Sequence, residues 1–204
     1  ADHHLIFQTM NEPRVVGTAY EWNIDTRNDD CMAAIDVVND LNQASLDAIR
    51  ATGGRNSDRF VIISPYAGNH MAVMLDRFHM PEDSVENKLI LSIHAYTPYN
   101  LCLNIRSDEA DFGISHLTEI KGFMKNVNYR YVQKGIPVII DEMGIINKNN
   151  PETRYAWTKA YVAAAKEYGM VCCWWDNGEV NGSGENFGLL DRRQLQVHPA
   201  CQSV

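Results

Sequence analysis

The stretch Leu5-Ile6-Phe7-Gln8-Thr9-Met10-Asn11-Glu12-Pro13 decides how this chain is read. An apolar run of strand-forming residues stops abruptly at an amide, a carboxylate and a proline, which predicts a buried strand delivering polar groups at its carboxyl end. Buried parallel strands with chemistry at that end are how (β/α) barrels present their sites. Ile136-Pro137-Val138-Ile139-Ile140-Asp141-Glu142-Met143-Gly144 repeats the pattern, ending in an acid and a turn glycine. Two such strands aim Glu12 and Glu142 at one cleft.

Between and beyond these strands the chain alternates. An amphipathic helix is expected from Cys31 to Thr52, with Ile35, Val38, Leu41, Leu46 and Ile49 as its apolar stripe and Gly53-Gly54 as its stop. Strands are expected at Phe60 to Ser64, at Lys88 to His94 and, together with its turn, at Met170 to Gly178. Helices are expected around His70 to Phe78, from Ile114 to Lys134, and from Asn150-Pro151-Glu152 to about Tyr168. Tyr99 to Asp111 reads as a long loop at a strand's carboxyl end, where barrel clefts are built. The alternation predicts an α/β fold with a parallel sheet and right-handed crossovers. No glycine-rich phosphate loop follows any strand, which favours a barrel over a doubly wound sheet.

Composition narrows the function. The 204 residues are 45% apolar and carry a net charge of −8, with no basic stripe, which argues against a nucleic-acid partner. No apolar run approaches the roughly 20 residues that span a bilayer, so no membrane segment is expected. The N-terminus lacks the pattern of a signal peptide, so an exported protein would already have lost its leader. Cys31, Cys102, Cys172, Cys173 and Cys201 lack zinc-site spacing and read as buried thiols, one of them at least unpaired. His3-His4 reads as a surface turn rather than a metal site.

Asn11-Glu12-Pro13, His94-Ala95-Tyr96, Asp141-Glu142-Met143-Gly144 and Trp174-Trp175-Asp176-Asn177-Gly178 fall on successive strand ends. In that order they resemble glycoside hydrolase family 5, in the manner of rumen-type secreted endo-β-1,4-glucanases. Met10 to Arg14 with Glu21-Trp22, and Phe187-Gly188-Leu189-Leu190-Asp191-Arg192, point the same way. The resemblance implies a (β/α)8 TIM barrel of which this chain carries about the last five βα units, strands 4 to 8. Residues 1–204 would then be one catalytic domain lacking the first three units, with a short or absent closing helix after His198-Pro199. A barrel takes about 250 residues, so an N-terminal fragment or a second chain is expected to close it. The absent units would bring an arginine near the nucleophile and a histidine at the sugar.

The resemblance implies a retaining glycosidase, with Glu142 as nucleophile and Glu12 as acid and then base, about 5 to 5.5 Å apart. Asn11 would bond the sugar 2-hydroxyl, Tyr96 would donate to Glu142, and His94 would bond the nucleophile or sugar hydroxyls. Trp175 offers its ring face to a pyranose while Trp174, by alternation, turns into the wall. Trp22, with Tyr20, either stacks on a sugar or packs on the rim. Asn177, with Asp176 and Glu179, borders the cleft or simply forms its loop. Family analogy makes the Trp175–Asp176 peptide cis. The partner is a β-glucan polysaccharide, with no cofactor or metal required, and secretion follows from a polymeric substrate. A carbohydrate-binding remnant without activity, or a mannanase or xyloglucanase on the same fold, remain as alternatives.

Overall fold

The computed structural model describes residue 2 and residues 4–197. His3, His198, Pro199 and Cys201 therefore lie outside the described residues. Five strands, β1 (Phe7–Gln8), β2 (Val61–Ile63), β3 (Leu89–His94), β4 (Val138–Met143) and β5 (Val171–Trp174), form one sheet in chain order. β2 runs parallel to both β1 and β3. Five α-helices accompany them: α1 (Asp29–Ala51), α2 (Ala72–Leu75), α3 (Tyr99–Cys102), α4 (Ile114–Arg130) and α5 (Pro151–Glu167). No helix among the described residues is long and apolar enough to cross a membrane. Two compact units divide the chain, one of Ala1–Ile93 with Tyr129–Ile139 and one of His94–Asn128 with Ile140–Val204.

In the first unit, α1 starts where Asn28 accepts a hydrogen bond from the Cys31 N–H at 3.0 Å. Asp29 and Asp30 in its first turn complement the helix dipole. It buries Cys31, Ile35, Val38, Asn42 and Leu46. The expected stripe is thus corrected at one position: Leu41 is 47% exposed and Asn42 lies inside instead. The cause is polar, because the Asn42 amide is bonded to Thr9 Oγ1 at 2.6 Å and to the Ser64 carbonyl at 2.9 Å. Buried amides survive only with such partners. Leu46, Val61, Ile63, Leu91 and Ile93 are fully buried beside it, each contributing about 1.5–3 kcal/mol by leaving water.

The opening run departs from expectation. Its ladder is only two residues long, and Leu5 and Ile6 are 54% and 50% exposed rather than buried. β1 is an outer strand of the sheet order.

In the second unit, α5 begins with Pro151 in its first turn and buries Arg154, Trp157, Tyr161, Ala164 and Ala165. Trp157 and Tyr161 pack at a tilt of 39° with ring centroids 4.7 Å apart, and Trp157 meets Trp174 edge-on at 6.3 Å. The expected loop at Tyr99 to Asp111 opens with the helical turn α3, which the sequence reading did not foresee. A short antiparallel hairpin, β6 (Leu190–Asp191) with β7 (Gln196–Val197), was likewise unforeseen. The four described cysteines are free thiols, Cys31 and Cys102 buried and Cys173 exposed.

Candidate active site

Glu12 sits beyond β1, on a bend four residues past the end of the ladder. The approach to it is fixed from three sides. Ser64 Oγ donates to the Met10 carbonyl at 2.6 Å, the Ala67 N–H donates to the Pro13 carbonyl at 2.9 Å, and Arg14 Nη1 donates to the carbonyl of Glu12 itself at 3.0 Å. Arg14 also stands 3.7 Å from the Glu12 carboxylate and pairs with Glu21 at 3.0 Å. The Gly17 N–H, and then Arg14, hold the Glu21 carboxyl below its ordinary pKa. Trp22 lays its ring under the same guanidinium at 3.9 Å, with 48% of the residue exposed. Its described partner is therefore a cation on one ring face. Tyr66 completes this corner: its hydroxyl accepts from the Val15 N–H at 3.1 Å and donates to the Tyr20 carbonyl at 3.2 Å. Asn11 is exposed.

Glu142 lies on β4 itself, at a break in the strand's alternation. Leu91 N–H donates to the Pro137 carbonyl and Ala95 N–H to the Glu142 carbonyl, both at 2.9 Å. Between those bonds β3 advances four residues and β4 five, so β4 carries one extra residue, a β-bulge. Burial follows the same shift: Val138 and Ile140 are buried, Asp141 and Glu142 are both half-buried, and Met143 is buried again. Strict alternation would have put Glu142 on the face of Val138 and Ile140. The bulge turns it to the face of Ile139.

Three side chains converge there. Tyr96 donates its hydroxyl to Glu142 Oε2 at 2.7 Å, and His94 brings Nδ1 to 3.4 Å of the same oxygen. The far imidazole nitrogen of His94 is 3.3 Å from Asp141. Tyr96 is held from behind by α5: Tyr161 Oη donates to the Ala95 carbonyl at 2.8 Å, and Trp157 Nε1 to the Thr97 carbonyl at 3.0 Å. Phe187 packs on Tyr96 with centroids 5.2 Å apart. Gly144, expected as a turn glycine, serves this packing instead. A Cβ there would lie 2.9 Å from the Phe187 ring, closer than packed carbons approach.

At the end of β5, Trp174 donates its indole N–H to the Phe187 carbonyl at 2.9 Å, while Trp175 is 42% exposed. The Trp175–Asp176 peptide is trans. The cis bond of the described residues is Thr97–Pro98, which corrects the family analogy; proline is where the cis form is least disfavoured. Asp176 and Asn177 are employed in their own loop. Asp176 accepts from the Gly178 and Leu189 N–H groups at 2.8 and 3.3 Å, and Asn177 donates to the Glu185 carbonyl at 2.6 Å. The supporting residues Asn42, Ser64, Trp157 and Tyr161 carried no motif in the sequence. The polar and aromatic types on otherwise apolar helix faces were the only signal for Asn42, Trp157 and Tyr161.

Comparison with known proteins gives the family. The model of the cellulase family, glycosyl hydrolase family 5, matches residues 1–181. Endoglucanase 1 of Ruminococcus albus is 39% identical over 196 residues, which are 96% of this chain and 46% of that protein. A family 5 lichenase from Caldicellulosiruptor sp. F32 superposes with a TM-score of 0.93 at 40% identity, over 98% of this chain and 56% of that one. A GH5-4 broad specificity endoglucanase from Ruminococcus champanellensis, solved with bound cellotriose, gives 0.91 at 40% identity, covering 98% and 57%. The chain thus spans about half the length of the relatives it matches, and its five-stranded sheet is part of a TIM barrel. Across both compact units, from the bend at Glu12 to the loop after β5, the chain belongs to the cellulase family, glycosyl hydrolase family 5.

Proposed function

We propose that the protein containing this chain is a retaining endo-β-1,4-glucanase, in which Glu142 attacks the anomeric carbon and Glu12 protonates the leaving oxygen. The observation that carries the reading is the carboxylate of Glu142, aimed by a strand bulge and held at one oxygen by the Tyr96 hydroxyl. A hydrogen bond to the ionised form keeps a nucleophilic carboxylate charged and oriented. Glycosylation of Glu142 removes its charge, and Glu12 then acts as base towards the water that frees the sugar. Relatives named endoglucanase and a neighbour with bound cellotriose support a β-glucan substrate. Asn11 and His94 contribute hydrogen bonds to the sugar, and Trp175 and Trp22 contribute ring faces. Asn177 acts by shaping its loop.

The reading includes a partner. Earlier βα units, in the same chain or another, pair with the exposed edge of β1 and cover Leu5 and Ile6. A polymeric substrate places the enzyme outside the cell, and residues 1–204 form one part of a single catalytic domain. The test is Glu142→Ala in the complete enzyme with azide added. Turnover on carboxymethylcellulose should fall by at least about 10⁴-fold, and azide should yield a glycosyl azide of inverted configuration. Undiminished activity without that product would overturn the assignment.

A further inference from the structure

The segment following Glu142 does more than connect β4 to α5. Ile146 N–H donates to the Cys102 carbonyl at 3.0 Å, and Asn150 Nδ2 to the Ala110 carbonyl at 2.8 Å. Between them Lys148 Nζ reaches three carbonyl oxygens of the 99–111 segment: Asn100 at 2.8 Å, Ser107 at 2.9 Å and Glu109 at 2.8 Å. An ammonium has three donors and no acceptor, and all three are used on one loop. Asn100 and Glu109 also line, with Tyr99 and His116, an open depression of about 420 Å³. Tyr99 is 60% exposed there, offering an aromatic face beside amide and carboxylate partners, the combination a pyranose ring packs against.

We propose that Lys148 is a positioning residue: its ammonium gathers three carbonyls to hold the 99–111 segment as a fixed wall for a glucan chain. The segment starts three residues after Tyr96, so the same cation that anchors the wall limits how far the loop can draw away from the Glu142 site. A long loop otherwise closes at an entropic cost that a single charged latch offsets. The arrangement resembles a cation cage with the cation supplied by the chain, and that gives the proposal its sharpest consequence. Removing the side chain back to Cβ should leave three converged oxygens that a small free cation can occupy, whereas an apolar side chain of lysine's length should fill the space and block it.

The binding part of this inference rests on the proposed glucanase reading; the latch itself does not. The experiment compares Lys148→Ala and Lys148→Met with the parent in the complete enzyme, by hydrogen exchange resolved to residues 99–111 and by steady-state kinetics. Exchange in that segment should quicken by about 10-fold or more in both variants while α5 amides keep their protection. KM for a soluble β-glucan should rise about 5- to 10-fold with kcat within about twofold, the pattern of lost uniform binding. Methylammonium or potassium at tens of millimolar should restore both readouts in Lys148→Ala and neither in Lys148→Met. Unchanged exchange overturns the latch, as does equal rescue of the two variants. A fall in kcat at constant KM overturns the wall. If the enzyme shows no glucanase activity, exchange and cation rescue still decide the latch, so the two readings fail separately.

Discussion

Two carboxylates with the same local grammar, an acid at a strand's carboxyl end, have opposite surroundings in this protein. Glu12 stands on a bend beyond a two-residue ladder, 3.7 Å from the guanidinium of Arg14, which is itself shared with Glu21 and Trp22. Glu142 stands within a strand, on a bulge, with a phenol and an imidazole on one oxygen and a wall of buried aromatics behind them. The first region is organised by charge and backbone bonds. The second is organised by a phenol and an imidazole beside buried aromatic packing. Two residues of one type acquire different roles through their neighbours, and each neighbourhood can be broken separately.

The largest expected effect after loss of Glu142 is that of Glu12→Gln. Turnover on glucan should drop about 10²- to 10⁴-fold, with a much smaller loss on an aryl glycoside whose leaving group needs no proton. Equal losses on both substrates would remove the acid role. Tyr96→Phe tests the other side. Deleting a hydrogen bond to a charged group is worth about 1.5–3 kcal/mol, so kcat should fall about 10- to 100-fold, with the fold intact by circular dichroism. Tyr161→Phe asks whether the aromatic wall matters through Tyr96. It leaves the Ala95 carbonyl without its donor and should cost about 1–3 kcal/mol in denaturant unfolding, together with a fall in kcat. Stability loss without a kinetic change would make α5 a scaffold only.

The smallest effect belongs to His70, in the first compact unit. Burial pushes the pKa of His70 from 6.5 down to about 4. Its folded form therefore binds its proton less readily than the unfolded chain, and stability is full above about pH 6.5 and lost as pH falls towards 4. Denaturation midpoints at pH 7 and pH 4.5 should differ by up to about 2 kcal/mol from this group. His70→Asn should flatten that part of the profile. An unaltered profile would place the pH sensitivity elsewhere.

Much of the fold was legible because period and punctuation are local. α1, α5 and the cores of β2, β3 and β4 appear within a few residues of where apolar spacing, Gly53-Gly54 and Asn150-Pro151 put them. His94, Tyr96 and Glu142 were recognisable because their motifs are short and continuous. What failed needed a neighbour from far along the chain. Leu5 and Ile6 read as buried, but a two-residue outer strand leaves them exposed. Asn42 lies outside the apolar stripe read from the sequence, but Thr9 and Ser64 draw it inside. Gly144 read as a turn residue, but the ring of Phe187 occupies the space a side chain would need.

The sequence by itself determined the strand and helix order, the strand-end acids and the family they mark, since hydrophobic period and contiguous motifs are properties of the chain alone. Only the tertiary structure decided which way Glu142 points, what fixes Tyr96 from behind and what Lys148 grips. A one-residue bulge reverses a side chain's face, and three carbonyls meet one ammonium only once the 99–111 and 144–150 segments are folded against each other.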